Sequence, residues 1–236
     1  MKTLLTQITA RTMEVFSSIQ GEGIYAGQPQ VFVRFYGCNM NCAYCDTPSE
    51  GIAQETTVKS VMDAVSDSNR DKSIRTVSLT GGEPLLYSNY LKILIPNLRR
   101  QGYKIYLDTN GTLPNELKEI IDLVDIVAMD VKLPSSTCDK SFWAEHKEFL
   151  MIAKPKDLFV KAVITSRTYE GDFLKAVELV ESVDCDIPFV LQPASRFRDF
   201  KDVPEIATLI KWQKAANSRL RDVRIIPQVH KIWGLR

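Results

Sequence analysis

Val31-Phe-Val-Arg-Phe35-Tyr-Gly37-Cys38-Asn-Met-Asn-Cys42-Ala-Tyr44-Cys45 is an apolar, β-branched run that stops at a glycine and passes into a loop carrying three cysteines. Its first five residues read as a strand. The same grammar recurs down the chain in Arg75-Thr-Val-Ser-Leu, Lys104-Ile-Tyr-Leu, Asp125-Ile-Val-Ala-Met, Leu158-Phe-Val-Lys-Ala-Val-Ile, Ile187-Pro-Phe-Val-Leu and Val223-Arg-Ile-Ile. Stretches of helical period separate them, at 57–66, 88–101, 115–123, 140–152, 172–183 and 203–220. Strand-then-helix repetition with near-continuous apolar strands predicts an α/β fold, a parallel sheet covered by helices, built as an open doubly wound sheet or as a full or partial barrel. Periodicity leaves that choice open. No repeat, low-complexity tract or linker divides the sequence, so a single domain over 1–236 is expected.

Chemically capable residues collect where each strand ends: Gly37-Cys38, Thr80-Gly-Gly-Glu83, Asp108-Thr-Asn-Gly111, Asp130-Val-Lys132, Thr165, Gln192 and Gln228-Val-His230. Sheets and barrels of this class place their sites at that rim.

Composition narrows the function classes. The 236 residues are 44% hydrophobic and 25% charged, an ordinary globular mixture, and 30 basic against 29 acidic side chains leave a net charge of +1. No overall positive field favours nucleic acid. No apolar run approaches the ~20 residues of a membrane span, and the first residues lack the pattern of a signal peptide. A cytoplasmic protein without nucleic-acid or membrane partners is the expectation. Five cysteines, an odd number, argue against a disulfide framework. Cys138 and Cys185 stand alone and read as packing residues.

The C-x3-C-x2-C run of Cys38, Cys42 and Cys45 asks for a metal. Structural zinc wants four protein ligands, and the only histidines, His146 and His230, are far away in sequence. A [4Fe–4S] cluster held by three cysteines keeps one iron open to a small-molecule ligand. With Tyr44 as the aromatic residue before the last cysteine, the run resembles the cluster loop of the radical S-adenosylmethionine (SAM) superfamily. Thr80-Gly81-Gly82-Glu83-Pro84 resembles that superfamily's GGEP motif. The resemblance implies a partial (β/α)6-type barrel. The open iron would chelate SAM, and one-electron cleavage would give a 5′-deoxyadenosyl radical.

Further segments resemble the 7-carboxy-7-deazaguanine synthase family: Glu14-Val-Phe-Ser-Ser-Ile19-Gln20-Gly21-Glu22-Gly23, Arg34, Cys45-Asp46-Thr47, and Arg224-Ile-Ile-Pro-Gln228-Val-His230-Lys-Ile-Trp-Gly234. This resemblance implies conversion of 6-carboxy-5,6,7,8-tetrahydropterin to 7-carboxy-7-deazaguanine with loss of ammonia, on the way to queuosine and related deazapurines. SAM would be used catalytically, with Mg²⁺, an electron donor such as flavodoxin or ferredoxin, and a homodimeric assembly. By family match, Ile19, Gln20, Gly21, Glu22, Arg34, Thr80, Gln228 and His230 contact the pterin, and Thr47 binds Mg²⁺. Tyr44, Cys45, Asp46, Gly81, Gly82, Glu83, Asp130, Lys132 and Gln192 serve the cluster and SAM. Residues 14–50 form the substrate and cluster region, and 223–236 a tail that closes over the substrate.

Each of these residues also has a plainer reading. Arg34 could be a paired surface arginine, Asp-Thr-Pro a capped turn, Asp130 and Lys132 an internal ion pair, and Gln20-Gly-Glu22 a polar turn. A glycyl-radical-enzyme activase shares the cysteine run, GGEP and an Asp-x-Lys strand end; the Gln-Gly-Glu-Gly loop, Cys-Asp-Thr and the Pro-Gln-x-His tail speak against it. An iron–sulfur electron carrier or sensor would need a fourth protein ligand and has no use for GGEP.

Overall fold

The computed structural model describes residues 4–47 and 53–235. Positions 48–50 of the cluster region and Arg236 of the tail lie outside the described residues. Among the described residues, nine strands form one sheet: β1 (Thr9–Ile19), β2 (Pro29–Phe35), β3 (Gln54–Thr57), β4 (Thr76–Gly81), β5 (Lys104–Thr109), β6 (Ile126–Asp130), β7 (Asp157–Ile164), β8 (Phe189–Pro193) and β9 (Val223–Ile225). Their order is β3-β1-β2-β4-β5-β6-β7-β8-β9. From β2 to β9 every pairing is parallel, whereas β1 runs antiparallel to both β2 and β3. The helices are α1 (Leu4–Gln7), α2 (Val58–Ser68), α3 (Ser88–Arg100), α4 (Pro114–Lys118), α5 (Pro134–Thr137), α6 (Trp143–Ala153), α7 (Glu170–Val183), α8 (Ile206–Asn217) and α9 (Val229–Trp233). The sheet does not close: β3 and β9 are its two edges. It is the partial barrel, with six helical crossovers between β2 and β9. No helix among the described residues is long and apolar enough to cross a membrane.

The seven apolar runs all become strands, because one face of each is packed beneath helices. Val31, Val33 and Phe35, Val77 and Leu79, Ile105 and Leu107, Val127 and Met129, and Val160, Ala162 and Ile164 are buried in one large core. Helix α3 meets that core with Leu91, Leu94, Ile95 and Leu98, a one-faced stripe. Each fully buried leucine or isoleucine contributes about 1.5–3 kcal/mol. Pro96 removes one helical donor from α3, and Asn97 Nδ2 donates to the Ile93 carbonyl at 2.6 Å in the same turn. Thr57 caps α2 by accepting from Ser60 N at 3.1 Å.

Two strands escape the sequence reading. β1 is half-exposed along its second half, and β3, Gln-Glu-Thr-Thr, is exposed or half-exposed throughout, so neither carries the apolar alternation that marks a strand. Their structure comes from pairing: β1 onto β2, and β3 in turn onto β1. The helical stretch at 115–123 divides into α4 and a 3₁₀ turn at Ile121–Leu123. The tail contributes β9 before it turns away, so only the residues after Ile225 are free to cover the sheet.

The second face of the sheet is concave. Its lower part is filled by Tyr106, Ile126, Ala128, Phe159 and Val190, with Ile24 and Tyr25 of the loop after β1 packed on them. Tyr25 meets Tyr106 edge-on, ring centroids 5.8 Å apart. Strand alternation then dictates what stands above that plug. Two residues on from Tyr106, Ala128, Phe159 and Val190 come Asp108, Asp130, Lys161 and Gln192, and on β2 and β4 the same rim holds Arg34 and Thr80, which are register partners.

Candidate active site

These rim residues line a cavity of about 460 Å³ at the C-terminal ends of the parallel strands. It takes in Cys38, Cys42, Tyr44, Cys45, Asp46 and Thr47 of the cysteine loop, Thr80, Gly81 and Gly82 after β4, and Asp130, Lys132 and Gln192. Ile19, Gln20, Gly21, Glu22 and Arg34 line it from the β1–β2 side, and Gln228 and His230 from the tail. All the site residues named from the sequence share this cavity except Glu83.

Glu83 lies beneath the floor, fully buried. Its Oε1 accepts from Leu85 N at 3.0 Å and Thr109 Oγ1 at 2.9 Å, and its Oε2 accepts from Asn110 N at 2.8 Å. Unlike the other site residues named from the sequence it does not line the cavity, and its side chain anchors the floor through these three donors. Burial pushes its carboxyl up to about 7 despite the three donors. An acid whose pKa is raised from 4.5 in the folded state stabilises the fold below pH 4.5 and loses that contribution as pH rises through about 7. We therefore expect wild type to lose stability relative to Glu83→Gln between pH 4.5 and 7 in denaturant titrations; a constant difference over that window would place an ionised carboxylate there.

The two glycines of the Gly-Gly-Glu run hold the cysteine loop against the sheet. Gly82 N donates to Phe35 O at 3.0 Å, and Glu83 N to Gly37 O at 2.8 Å. A Cβ on Gly82 would stand 1.8 Å from the Gly37 carbonyl oxygen, and Gly81 adopts φ +123°. Backbone meets backbone here, at the root of the loop that presents Cys38.

Three distant segments clasp one another over the opposite wall. Gln20 spends its side chain on the loop itself: Nε2 donates to Gln30 Oε1 at 3.2 Å and Oε1 accepts from Glu22 N at 3.1 Å. The tail docks beside it through Val229 N donating to Gly21 O at 2.8 Å, and a Cβ on Gly21 would lie 2.0 Å from His230 Nδ1. Gln228 Nε2 donates to Glu22 Oε1 at 2.8 Å and to Asp46 Oδ2 at 3.3 Å, and Lys231 pairs with Asp46 at 2.9 Å. Asp46 thereby joins the cysteine loop to the tail.

Charge is organised in pairs. Lys132 Nζ donates to Asp130 Oδ2 at 2.8 Å and to Tyr44 Oη at 3.4 Å. Arg34 Nε donates to Glu14 Oε1 at 2.9 Å, so it is paired as well as facing the cavity. Lys161, with a side chain 6% exposed, sits between Glu22 and Asp108, its Nζ bonded to Glu22 Oε2 and 3.2 Å from Asp108 Oδ1. Burial opposes the charge on Glu22, but the Lys161 ammonium, with hydrogen bonds from Lys161 and Gln228, holds its carboxyl down to about 2. Burial raises Asp108, against the pull of the same lysine. Sequence reading placed Asp108 and Asn110 at a strand end without giving either a role, and passed over Lys161, whose signal was a single charge on the inward face of an otherwise apolar strand.

The Radical SAM superfamily model matches residues 32–178. A 7-carboxy-7-deazaguanine synthase from Geobacter sulfurreducens is 37% identical over 95% of this chain and 97% of its own length. One from Methanopyrus kandleri is 32% identical over 93% and 91%. The crystal structure of QueE from Escherichia coli superposes with a TM-score of 0.67 at 21% identity, covering 97% of this chain and 98% of that one, which shows the fold. The cysteine loop, the Gly-Gly-Glu run packed against its root and full-length similarity at these identities lead to one assignment: the chain is a radical SAM enzyme of the 7-carboxy-7-deazaguanine synthase family.

Proposed function

We propose that this chain converts 6-carboxy-5,6,7,8-tetrahydropterin to 7-carboxy-7-deazaguanine with release of ammonia, using SAM catalytically and Mg²⁺. The observation that carries this reading is the single cavity in which the three cysteines, Gly81 and Gly82, Arg34 and the clasp of Glu22 with Gln228 meet.

The residues fit the cofactors that the family implies. None of the three loop cysteines is in a disulfide. Buried Asp130 Oδ1 and Gln192 Oε1 have no hydrogen-bond partner, and both residues line the cavity, where a donor-bearing ligand such as SAM would satisfy them. Cys38, Cys42 and Cys45 would hold the cluster, with Gly81, Gly82, Asp130, Lys132 and Gln192 around SAM. When bound, cluster and SAM supply the one-electron chemistry that begins hydrogen abstraction.

The protein's own part is binding, orientation and charge. Arg34 offers a guanidinium to the substrate carboxylate. Glu22, kept ionised by Lys161, accepts hydrogen bonds from the amino and N–H groups of the pterin ring, and the tail closes that side. Thr47 Oγ1 lies 3.5 Å from the Gly81 carbonyl oxygen and supplies a neutral oxygen for Mg²⁺, an ion that keeps most of its own waters. An outside electron donor such as flavodoxin or ferredoxin and a homodimeric assembly belong to the same reading.

Two variants test the assignment of roles. Arg34→Ala is expected to raise the substrate KM about 10-fold or more while SAM binding stays unchanged, the behaviour of a lost charge-assisted hydrogen bond of about 1.5–3 kcal/mol; equal losses for both ligands would move Arg34 away from the carboxylate. Thr47→Ala should weaken stimulation by Mg²⁺ and leave the cluster spectrum intact, and an unaltered Mg²⁺ dependence would remove Thr47 from the metal site.

A further inference from the structure

Asn110 links the buried Glu83 carboxylate to the first cysteine of the loop. It follows β5, is 5% exposed, and its backbone is held at both ends: N donates to Glu83 Oε2 at 2.8 Å, and O lies 3.2 Å from His146 Nε2. Its side chain has only one orientation that satisfies its neighbours. Asn110 Oδ1 accepts from Thr112 N at 3.0 Å and from Thr112 Oγ1 at 2.6 Å, and a backbone N–H can only donate, so the carbamoyl oxygen must face Thr112. The nitrogen is thereby turned to the other side. Asn110 Nδ2 donates to Asn39 Oδ1 at 2.8 Å and reaches Cys38 Sγ at 3.7 Å, while Asn39 Nδ2 closes the ring by donating to Thr112 Oγ1 at 2.8 Å.

We propose that Asn110 is a positioning residue for the iron–sulfur cluster, its carbamoyl N–H donating to the Cys38 sulfur and raising the cluster's reduction potential. The inference rests on the reading of Cys38 as a cluster ligand. Hydrogen bonds to the sulfurs are one of the levers by which a protein sets such potentials, because a donor stabilises the form with more electron density on sulfur. A fixed donor serves this better than water, and here five hydrogen bonds among Glu83, Asn110, Thr112 and Asn39 lock the whole loop. The Met40 backbone also bonds to the Cys38 sulfur, so Asn110 adjusts the potential and does not set it alone.

The test is an anaerobic redox titration of the reconstituted full-length protein, followed by EPR in the absence of SAM. Asn110→Ala is expected to retain iron and sulfide and to shift the midpoint potential to a more negative value. An intact cluster at an unchanged potential overturns the proposal. Where Asn110→Ala fails to hold iron, wild-type protein labelled with ¹⁵N-asparagine decides: pulsed EPR of the reduced cluster should show a ¹⁵N coupling, and its absence overturns the proposal. A wild-type chain that takes up no cluster at all overturns the ligand reading beneath it, an outcome distinct from either.

Discussion

Replacing Lys161 by methionine is expected to cost about 3–5 kcal/mol of folding stability, which lowers Tm by roughly 6–20 °C in a chain of this size. Among the described residues, the lysine is the only group that bonds to both Glu22 and Asp108, and its side chain is 6% exposed. Methionine matches its volume and keeps the stem's packing, so the loss isolates the charge. What remains is two carboxylates, 19% and 23% exposed, facing each other across an apolar side chain. The ion pair as a whole need not stabilise the fold; its desolvation offsets most of its attraction. Breaking it is what costs. Lys161→Met with Glu22→Gln and Asp108→Asn should therefore recover most of the lost stability while remaining inactive. The pH dependence carries a second signature. Glu22, held near 2 against an ordinary 4.5, contributes stability above pH 4.5 that is lost as pH falls through about 2. Without Lys161 that contribution should vanish, and the single variant should gain stability relative to wild type on acidification. A Tm within 2 °C of wild type at pH 7 would refute the buried triad.

The second large effect is expected from Gly82→Ala. The added carbon would meet the Gly37 carbonyl oxygen at 1.8 Å. That oxygen belongs to backbone and cannot rotate away, so the strand end or the cysteine loop must shift. Overpacking of this kind costs about 1–3 kcal/mol. The functional loss should be larger than the stability loss, because the displaced backbone carries Cys38 and the Glu83 N–H···Gly37 bond at 2.8 Å. Iron content after reconstitution should fall well below wild type, and SAM cleavage with it. Gly171→Ala provides the control: nothing lies within 4 Å of its added carbon, it stands in the first turn of α7, and it should load iron normally with stability unchanged or slightly raised. Equal iron contents in the two variants would contradict the packing account.

Much of this architecture follows from period-two alternation. The seven apolar runs are strands because helices cover one of their faces, and the cavity collects the residues that the same alternation turns to the other face. Thr80, Asp130 and Gln192 were legible as polar residues at strand ends, and Arg34 through the family resemblance. Lys161 was not, because a single lysine among Phe159, Val160, Ala162 and Val163 looks like a local exception until β6 and β7 are paired and Asp130 falls opposite it. β1 and β3 were illegible on physical grounds: their stability comes from pairing, β1 to β2 and β3 to β1, and their exposed faces carry polar residues. Glu83 shows the converse. Its motif is plain in the sequence, yet the partners that bury it, Thr109 and Asn110, are on another strand end, and only the fold reveals that it anchors the floor. The tail's place at the cavity was legible in Gln228 and His230 through the family resemblance; its grip on the cysteine loop through Lys231 and Asp46 was not, because no local pattern joins residues so far apart in sequence.

The reaction itself is the central claim, and one measurement reaches it most directly. The anaerobically reconstituted and reduced protein is incubated with substoichiometric SAM, Mg²⁺ and 6-carboxytetrahydropterin, and product is followed by absorbance and mass. The account predicts 7-carboxy-7-deazaguanine in excess over the SAM supplied. Accumulation of 5′-deoxyadenosine with no deazapurine would contradict it, leaving a radical SAM enzyme whose substrate is something else.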